Sequence, residues 1–294
     1  MRFKTAVNEY LHTRQFASLA ASSQKGYETA LNSFCRMSVN GRTLGNISIH
    51  NINVPLCTEI YDTWESETST ANANHNARIF SVVMNYLITM EKLTVNPMSR
   101  VRKRTSEPRS VIWTHEQVMK FLDTAFTNFN WRNIGLIVLM CYEWGQRPVD
   151  IRNLTWDSLD LDEGVVTITQ SKRGATVELP IPDNLITMLK QQKEDWDFQP
   201  YVVPHHRPQD NAYRPLTIAQ MITLLGEVKA TAGLPDDLRV GDLRKTAIVQ
   251  MIESGVDHLA IQSVSGHKNV QSLNPYNKFS LKTARAALDR RVRE

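Results

Sequence analysis

The chain has 294 residues, of which 41% are hydrophobic, and its formal net charge is +4. This length suits one large or two modest domains, and this composition excludes a chain that is disordered throughout. We expect neither a membrane span nor a signal peptide, because no run reaches about 18 apolar residues and the start of the chain lacks an apolar segment. Cys35, Cys57 and Cys141 form no metal-ligand or disulfide pattern, which favours a reducing, cytoplasmic location.

Apolar residues in the first hundred positions recur at helical spacing in four segments. The segments cover residues 3–11, 27–35, 55–64 and 79–90. The last helix should end before Asn96-Pro97, because proline disfavours helical geometry in the residue before it. The pattern predicts a compact, all-helical domain over residues 1–98. Lys25 lies off the apolar stripes, so it is either an ordinary surface charge or part of a DNA-binding face.

A basic segment, residues 99–110, follows the four helical stripes. It holds five Lys or Arg residues against one Glu, contains a proline and lacks apolar periodicity, so we interpret it as a domain linker. Two interpretations of its charge stay open: a solvated linker, or a strap that follows a phosphate backbone. The second interpretation makes Arg102, Lys103 and Arg104 candidate DNA contacts.

Residues 111–294 show both helical and strand periodicity. Helices are predicted from Thr114, where a capping box begins, and over residues 134–142, 217–232, 242–254 and 258–264. Two β-favouring runs, 165–169 and 176–180, lie on either side of a glycine-containing turn and predict a hairpin. The fold class is therefore mainly α with a small β-sheet, in which a helical domain precedes a mixed α/β domain.

Five residues of this second part have side chains suited to phosphodiester chemistry. Arg147 follows the buried helix, Lys172 lies in the hairpin turn, and Arg244 lies in the helix predicted over residues 242–254. His267 follows Arg244 by 23 residues, and Tyr276 follows His267 by nine. None is diagnostic alone, because each also fits an ordinary role as a surface ion pair, a solvated turn, a helix cap or a packed aromatic.

The set resembles the tyrosine recombinase (phage integrase) family. The family's G-x-R-x-x-E/D pattern occurs as residues 145–150, its V-x-L-P pattern as 177–180, and its L-R-x-T pattern as 243–246. The spacings to the histidine and the tyrosine also agree, and the helical part with its basic linker is similar to the family's core-binding domain. The resemblance implies a catalytic site composed of Arg147, Lys172, Arg244, His267 and Tyr276.

Physical chemistry explains why such a site needs these residue types. Arg147 and Arg244 would clamp the non-bridging phosphate oxygens through bidentate hydrogen bonds, to which His267 would add another. Tyr276 would attack the phosphorus and form a 3′-phosphotyrosyl bond, while Lys172 would protonate the departing 5′-oxygen. We expect no metal and no cofactor, because cationic side chains would supply the charge that Mg²⁺ supplies in other enzymes.

Two positions depart from the family pattern. The family usually has histidine, and sometimes lysine, three residues before the second arginine, where this chain has Gly241. The usual general base is therefore missing, and water, Lys245 or His258 are the candidates to replace it. The second departure is Pro275, which directly precedes Tyr276 and would restrict where the tyrosine points.

The resemblance predicts a site-specific recombinase of the simple type, without an arm-binding domain before residue 1. It implies a clamp around double-stranded DNA, four protomers on two DNA segments, and possible accessory DNA-bending or directionality factors. The expected setting is a phage or mobile element in a bacterial cell. The tail, residues 280–294, would dock either on a neighbouring protomer or on its own domain. Chromosome-dimer resolution, a DNA-binding protein without catalysis, and a type IB topoisomerase are the alternatives.

Overall fold

The computed structural model of the protein describes residues 1–172 and 174–267, together with residues 269, 271, 273, 288 and 289. The chain divides into two compact units, Met1–Arg109 and Ser110–Glu294. Among the helices that the structure describes, none combines the length and the apolar character needed to cross a bilayer.

Helices dominate the amino-terminal unit. They are α1 (Phe3–Leu11), α2 (Arg14–Ala17), α3 (Ala21–Arg36), α4 (Val54–Glu67) and α5 (Thr70–Thr89). Four of them match the four predicted stripes, and α5 ends before Asn96-Pro97 as expected. The short α2 was not predicted, nor was an antiparallel pair of two-residue strands, β1 (Ser38–Val39) and β2 (Arg42–Thr43). Such short elements leave no periodic signal in a sequence.

An aromatic cluster forms the centre of this unit. Trp64 packs its ring 4.6 Å from Phe34 and 6.0 Å from Phe80, measured between ring centroids. Apolar residues of α1, α3, α4 and α5 surround these rings, so one hydrophobic core holds the helices together.

The beginning of the basic segment packs on the amino-terminal unit. Val101 is buried, and the main-chain N–H of Arg104 donates to the Tyr61 hydroxyl at 3.0 Å. Asn74 donates to the main-chain oxygen of Arg104 at 2.9 Å. Val101 and Arg104 therefore have partners within this unit.

The carboxyl-terminal unit combines helices with one small sheet. Its helices are α6 (His115–Ala125), α7 (Phe129–Trp144), α8 (Pro148–Arg152), α9 (Asp183–Trp196), α10 (Ile218–Ala232), α11 (Val240–Glu253) and α12 (His258–Ser265). Its strands are β3 (Leu159–Asp160), β4 (Val165–Thr169) and β5 (Thr176–Pro180), which are antiparallel in the order β3-β4-β5. The predicted hairpin is β4–β5, whereas α9 and β3 were not predicted.

The buried helix α7 is the centre of this unit, because residues on every side of it are buried. It ends at Gly145, whose φ of +59° is a left-handed geometry that glycine adopts without steric cost. Helix α11 packs against α7, and the main-chain N–H of Trp113 donates to the Thr246 hydroxyl of α11 at 3.0 Å. The fold therefore brings residues just after the end of α7 close to residues of α11.

Candidate active site

Arg147 stands at the amino-terminal end of α8, two residues after the glycine that ends α7. Pro148 begins α8, a position where the missing N–H of proline costs nothing. The side chain of Arg147 is about one fifth exposed, so its guanidinium is partly open to solvent. Its Nη1 donates to Oε1 of Gln170 at 3.2 Å. Gln170, which directly follows strand β4, thus helps to orient the Arg147 side chain.

Asp150 is the acidic partner of Arg147. Its side chain is fully buried, and its Oδ2 lies 3.8 Å from Nη1 of Arg147. Its Oδ1 accepts two hydrogen bonds from Ser171, one from the main-chain N–H at 2.9 Å and one from the hydroxyl at 2.6 Å. A buried carboxylate held in this way supplies a negative charge next to the arginine and ties the hairpin turn to α8.

Arg244 lies on α11 and is buried, with 6% of its surface exposed. Its Nη1 donates to the main-chain oxygen of Gly145 at 3.1 Å, and its Nη2 donates to that of Ser265 at 2.7 Å. Gly145 is two residues from Arg147, so the two arginines converge on the turn between α7 and α8. Hydrogen bonds from a charged guanidinium are strong, and they hold Arg244 in one orientation.

Two buried glutamines connect the arginines. Oε1 of Gln146 accepts from Nη1 of Arg244 at 3.4 Å and from Nε2 of Gln170 at 2.7 Å. Gln170 in turn accepts from Arg147. The sequence interpretation missed both glutamines. The signal for Gln170 was the alternation of β4, because it follows Val166 and Ile168 on the inward-facing side of the strand.

His267 joins the same group of residues through Ser265. Its Nδ1 lies 2.7 Å from the Ser265 hydroxyl, and 8% of the residue is exposed. Ser265 is the last residue of α12, which ends at Gly266 with φ +68°. The main-chain oxygen of Ser265 accepts from Arg244, so His267 and Arg244 are both bound to the end of one helix.

Lys172 is exposed on the turn between β4 and β5, as the sequence predicted, two residues after Gln170. The turn is closed by main-chain hydrogen bonds from Gln170 to Ala175 and from Gly174 to Gln170, both of 2.8 Å. Tyr276 and Pro275 lie outside the described residues, as does the tail apart from residues 288 and 289. Arg147, Arg244 and His267 are therefore brought together, and Lys172 lies on an adjoining turn.

Gly241 lies in the first turn of α11, three residues before Arg244. A Cβ built on it would meet no atom of the described residues within 4 Å, and its φ is not positive. The described part of the local fold therefore does not require glycine. His258 begins α12 and is exposed, whereas Lys245 is half-buried.

Burial raises the pKa of the Cys141 thiol, and Asp150 raises it further, whereas Arg244 lowers it. Both charges therefore lie within electrostatic reach of this fully buried residue of α7. Within the described part of the chain, no three His, Cys, Asp or Glu side chains are grouped as metal ligands.

The predicted DNA contacts differ in their surroundings. Lys25 on α3 is exposed, as are Arg102 and Lys103 of the basic segment. Arg104 forms an ion pair with Glu65, and its Nη2 lies 3.8 Å from Oδ1 of Asp62. Its guanidinium therefore already has two carboxylate neighbours within the amino-terminal unit, which distinguishes it from the other three.

The model of the phage integrase family matches residues 112–282, more than half of the chain. The chain therefore belongs to the phage integrase family, whose members are tyrosine recombinases that cut and rejoin DNA.

Sequence relatives include several tyrosine recombinases named XerA. The relative from Pyrococcus furiosus is 27% identical over 157 residues, which cover 53% of each chain. The relative from Thermococcus onnurineus is 26% identical over 187 residues, which cover 63% of each chain. The match thus spans between about half and two thirds of the length of these relatives.

Solved structures extend the likeness to nearly the whole chain. A lambda integrase dimer bound to a COC′ core site (residues 75–356) matches with a TM-score of 0.76 at 16% identity, covering 96% of this chain and all of that one. The Tn1549 transposon integrase in complex with a circular intermediate DNA matches with a TM-score of 0.78 at 17% identity, covering 99% of both chains. At these identities the likeness establishes the fold, and it confirms the expected fold class.

Proposed function

We propose that this protein is a site-specific DNA recombinase that cuts and rejoins duplex DNA through a 3′-phosphotyrosyl intermediate. The observation that carries the proposal is the convergence of Arg147, Arg244 and His267 around the end of α12, beside the turn that holds Lys172. The five residues implied by the sequence pattern thus include three that share one hydrogen-bonded network, in a chain of the phage integrase family.

The geometry and the charge of the described groups support the roles proposed for them, and the sequence pattern supports the role of Tyr276. Attack on a phosphodiester concentrates negative charge on the non-bridging oxygens, and two oriented guanidiniums next to a histidine stabilise it. Lys172, exposed on its turn, donates the proton that the 5′-oxygen needs in order to leave. Tyr276 supplies the attacking oxygen, and the phosphotyrosyl bond conserves the energy of the broken linkage for rejoining.

Assembly and biological role are further parts of the proposal. We infer four protomers on two duplexes, in a phage or mobile-element integration or excision reaction in a bacterial cytoplasm. The lambda integrase structures include a tetramer bound to a Holliday junction, which supports the tetramer. Chromosome-dimer resolution is the second candidate role, which the relatives named tyrosine recombinase XerA favour. Joining of two separate DNA circles would support the integration role, whereas resolution of direct repeats on one circle without such joining would support chromosome-dimer resolution.

The test is covalent capture on nicked suicide duplexes. The probe is a pool of end-labelled duplexes that carry randomised candidate sites and a nick. After cleavage, the short fragment next to the nick diffuses away, so rejoining is prevented and the covalent adduct accumulates. Wild-type protein should retain label through denaturing electrophoresis, and sequencing of the retained DNA should identify its site.

Tyr276→Phe removes only the attacking oxygen, so it should abolish the adduct and leave DNA affinity nearly unchanged. Tyr201→Phe, in the same unit, is the matched control and should retain the adduct. An adduct formed by Tyr276→Phe would contradict the assignment of the nucleophile. Supercoil relaxation by wild-type protein without strand exchange would favour the topoisomerase alternative, and DNA binding without any adduct would favour the non-catalytic one.

A further inference from the structure

Gln170 is a polar residue at the end of strand β4, yet its side chain is buried. It is 1% exposed, and both ends of its side-chain amide bind partners: Oε1 accepts from Arg147 at 3.2 Å, and Nε2 donates to Gln146 at 2.7 Å. We propose that the side chain of Gln170 is a positioning residue that holds both arginines of the phosphate clamp in one mutual orientation. This inference rests on the proposed function.

The hydrogen bonds of Gln146 set the direction of the network. Its Nε2 donates to the main-chain oxygens of Trp144 and Val264, at 3.0 and 2.6 Å, so its Oε1 must face Gln170. An amide oxygen can accept only from a donor, and therefore Gln170 must turn its Nε2 towards Gln146. Its Oε1 then faces Arg147, which can only donate. The donor and acceptor ends of both amides are therefore fixed, from the main-chain oxygen of Trp144 in α7 to the guanidinium of Arg147.

The second arginine is reached through Ser265. The main-chain oxygen of Ser265 accepts from Nε2 of Gln170 at 2.8 Å and from Nη2 of Arg244 at 2.7 Å. Gly266 makes this close approach possible, because a Cβ at that position would lie only 2.5 Å from Nε2 of Gln170. Gln170 therefore contacts one guanidinium directly and shares an acceptor with the other.

The hairpin turn depends on the main chain of Gln170 and not on its side chain. The N–H of Gln170 donates to the oxygen of Ala175, and its oxygen accepts from Gly174. A substitution that changes only the side chain leaves these bonds in place. Loss of the amide should therefore disturb the arginines and spare the turn that carries Lys172, and this difference makes the proposal testable.

Two modified substrates separate the arginine clamp from the general acid. A methylphosphonate at the scissile position replaces one charged non-bridging oxygen by a methyl group, so it needs less help from the arginines. A bridging 5′-sulfur leaves as a thiolate, which needs no proton because a thiol has a pKa of about 8.5. Arg147→Ala should regain activity, relative to wild type, on the methylphosphonate. Lys172→Ala should regain it on the 5′-thio substrate.

The experiment measures single-turnover cleavage by Gln170→Met on the ordinary, methylphosphonate and 5′-thio duplexes. On the ordinary duplex we expect a rate about 10- to 100-fold below wild type, a loss comparable to that seen when partners that orient metal ligands are removed. The deficit should shrink on the methylphosphonate and stay unchanged on the 5′-thio duplex. Gln192→Met is the matched control, because Gln192 is equally buried and donates to Asn133 and Val202.

Gln170→Glu gives a second measurement if Gln170→Met does not fold. It keeps an acceptor for Arg147 but places a carboxylate oxygen against the acceptors of Ser265 and Gln146, so we expect the same pattern of deficits. A wild-type rate for Gln170→Met, an equal deficit on all three substrates, or recovery on the 5′-thio duplex would overturn the positioning role. A wild-type protein without any adduct would overturn the proposed function and this inference with it.

Discussion

Nη1 of Arg147 lies 3.8 Å from Oδ2 of Asp150, a carboxylate whose side chain is fully buried. Among the described residues, this Oδ2 has no hydrogen-bond partner, so the positive charge of Arg147 is what offsets the negative charge of the buried carboxylate. The pair lies at the start of α8, where Ser171 of the hairpin turn also binds the carboxylate. One buried acid thus influences both a clamp arginine and the turn that carries the lysine.

Asp150→Asn tests this influence. Asparagine can keep the bonds to Ser171 through its oxygen, but it removes the negative charge that faces Arg147. The new amide nitrogen would face the Arg147 guanidinium, donor against donor. We therefore expect the unfolding free energy to fall by about 1–3 kcal/mol, the scale of a buried polar group left unsatisfied, and the cleavage rate to fall with it. Chemical denaturation and single-turnover cleavage are the measurements. Asp195→Asn, which breaks the 2.6 Å ion pair with Arg132, is the control and should leave cleavage unchanged.

Lysine substitutions test the fork geometry of the clamp. Arg147→Lys and Arg244→Lys keep the charge but lose the planar set of donors that binds two phosphate oxygens together. Each should lower the cleavage rate by about 10²-fold or more, the scale of losing one preorganised donor. Single-turnover cleavage at saturating protein is the measurement. Near wild-type rates for both variants would place the phosphate clamp elsewhere.

The salt dependence of DNA binding tests the basic segment. Each phosphate contact contributes about 0.9 to the slope of log affinity against log salt on duplex DNA. Neutralising the exposed Arg102 and Lys103 should flatten the slope by nearly this amount for each residue. Arg104→Gln should flatten it less, because Arg104 is already paired with Glu65 and Asp62. Equal effects at all three positions would show that the ion pairs of Arg104 open when DNA binds.

Gly241→His tests how Tyr276 loses its proton. A free tyrosine has a pKa of about 10, so the reactive phenolate is scarce at neutral pH, and wild-type cleavage should rise with pH. A Cβ there would meet no atom of the described residues within 4 Å, so the backbone accommodates a Cβ. Gly241→His should raise the rate near neutral pH and weaken the pH dependence.

Gly241→Ala is the matched control for this substitution, since it adds a Cβ but no titrating group, and its pH profile should follow wild type. Cleavage rates across a pH range of about 6 to 9, below the phenol pKa, give the comparison. A wild-type rate that is independent of pH in this range would show that another residue accepts the proton. Lys245 and His258 would then be the first positions to change.

Much of the carboxyl-terminal unit follows from local sequence signals. The capping box at Thr114 was predicted and is present, as is the hairpin β4–β5. These features depend on a few neighbouring residues, so a sequence displays them directly. Helix α9 was missed although its apolar positions are regular, whereas β3 has only two residues and leaves no pattern.

The arginines, the lysine and the histidine were predicted from a pattern of residue types and spacings. Their hydrogen-bonded connections could not be predicted in that way, because Gln146 and Gln170 are 24 positions apart and neither residue type signals a buried network. The alternation of β4 indicates that Gln170 faces inward, but which groups it binds there depends on the packing of α7, α11 and α12 against the sheet. Such contacts are a property of the tertiary fold and not of a local window.

Trp113, near the start of the carboxyl-terminal unit, donates to Thr246, which is 133 residues later in the chain. The two arginines likewise come from positions 147 and 244, and their shared helix end is at Ser265. During synthesis, amino-terminal regions emerge and fold first. A nascent chain can therefore complete the helical unit early, but it cannot assemble the arginine pair until translation has passed α12. A chain truncated before that point would contain the residues of the helical unit but could not form the hydrogen bonds that orient Arg244.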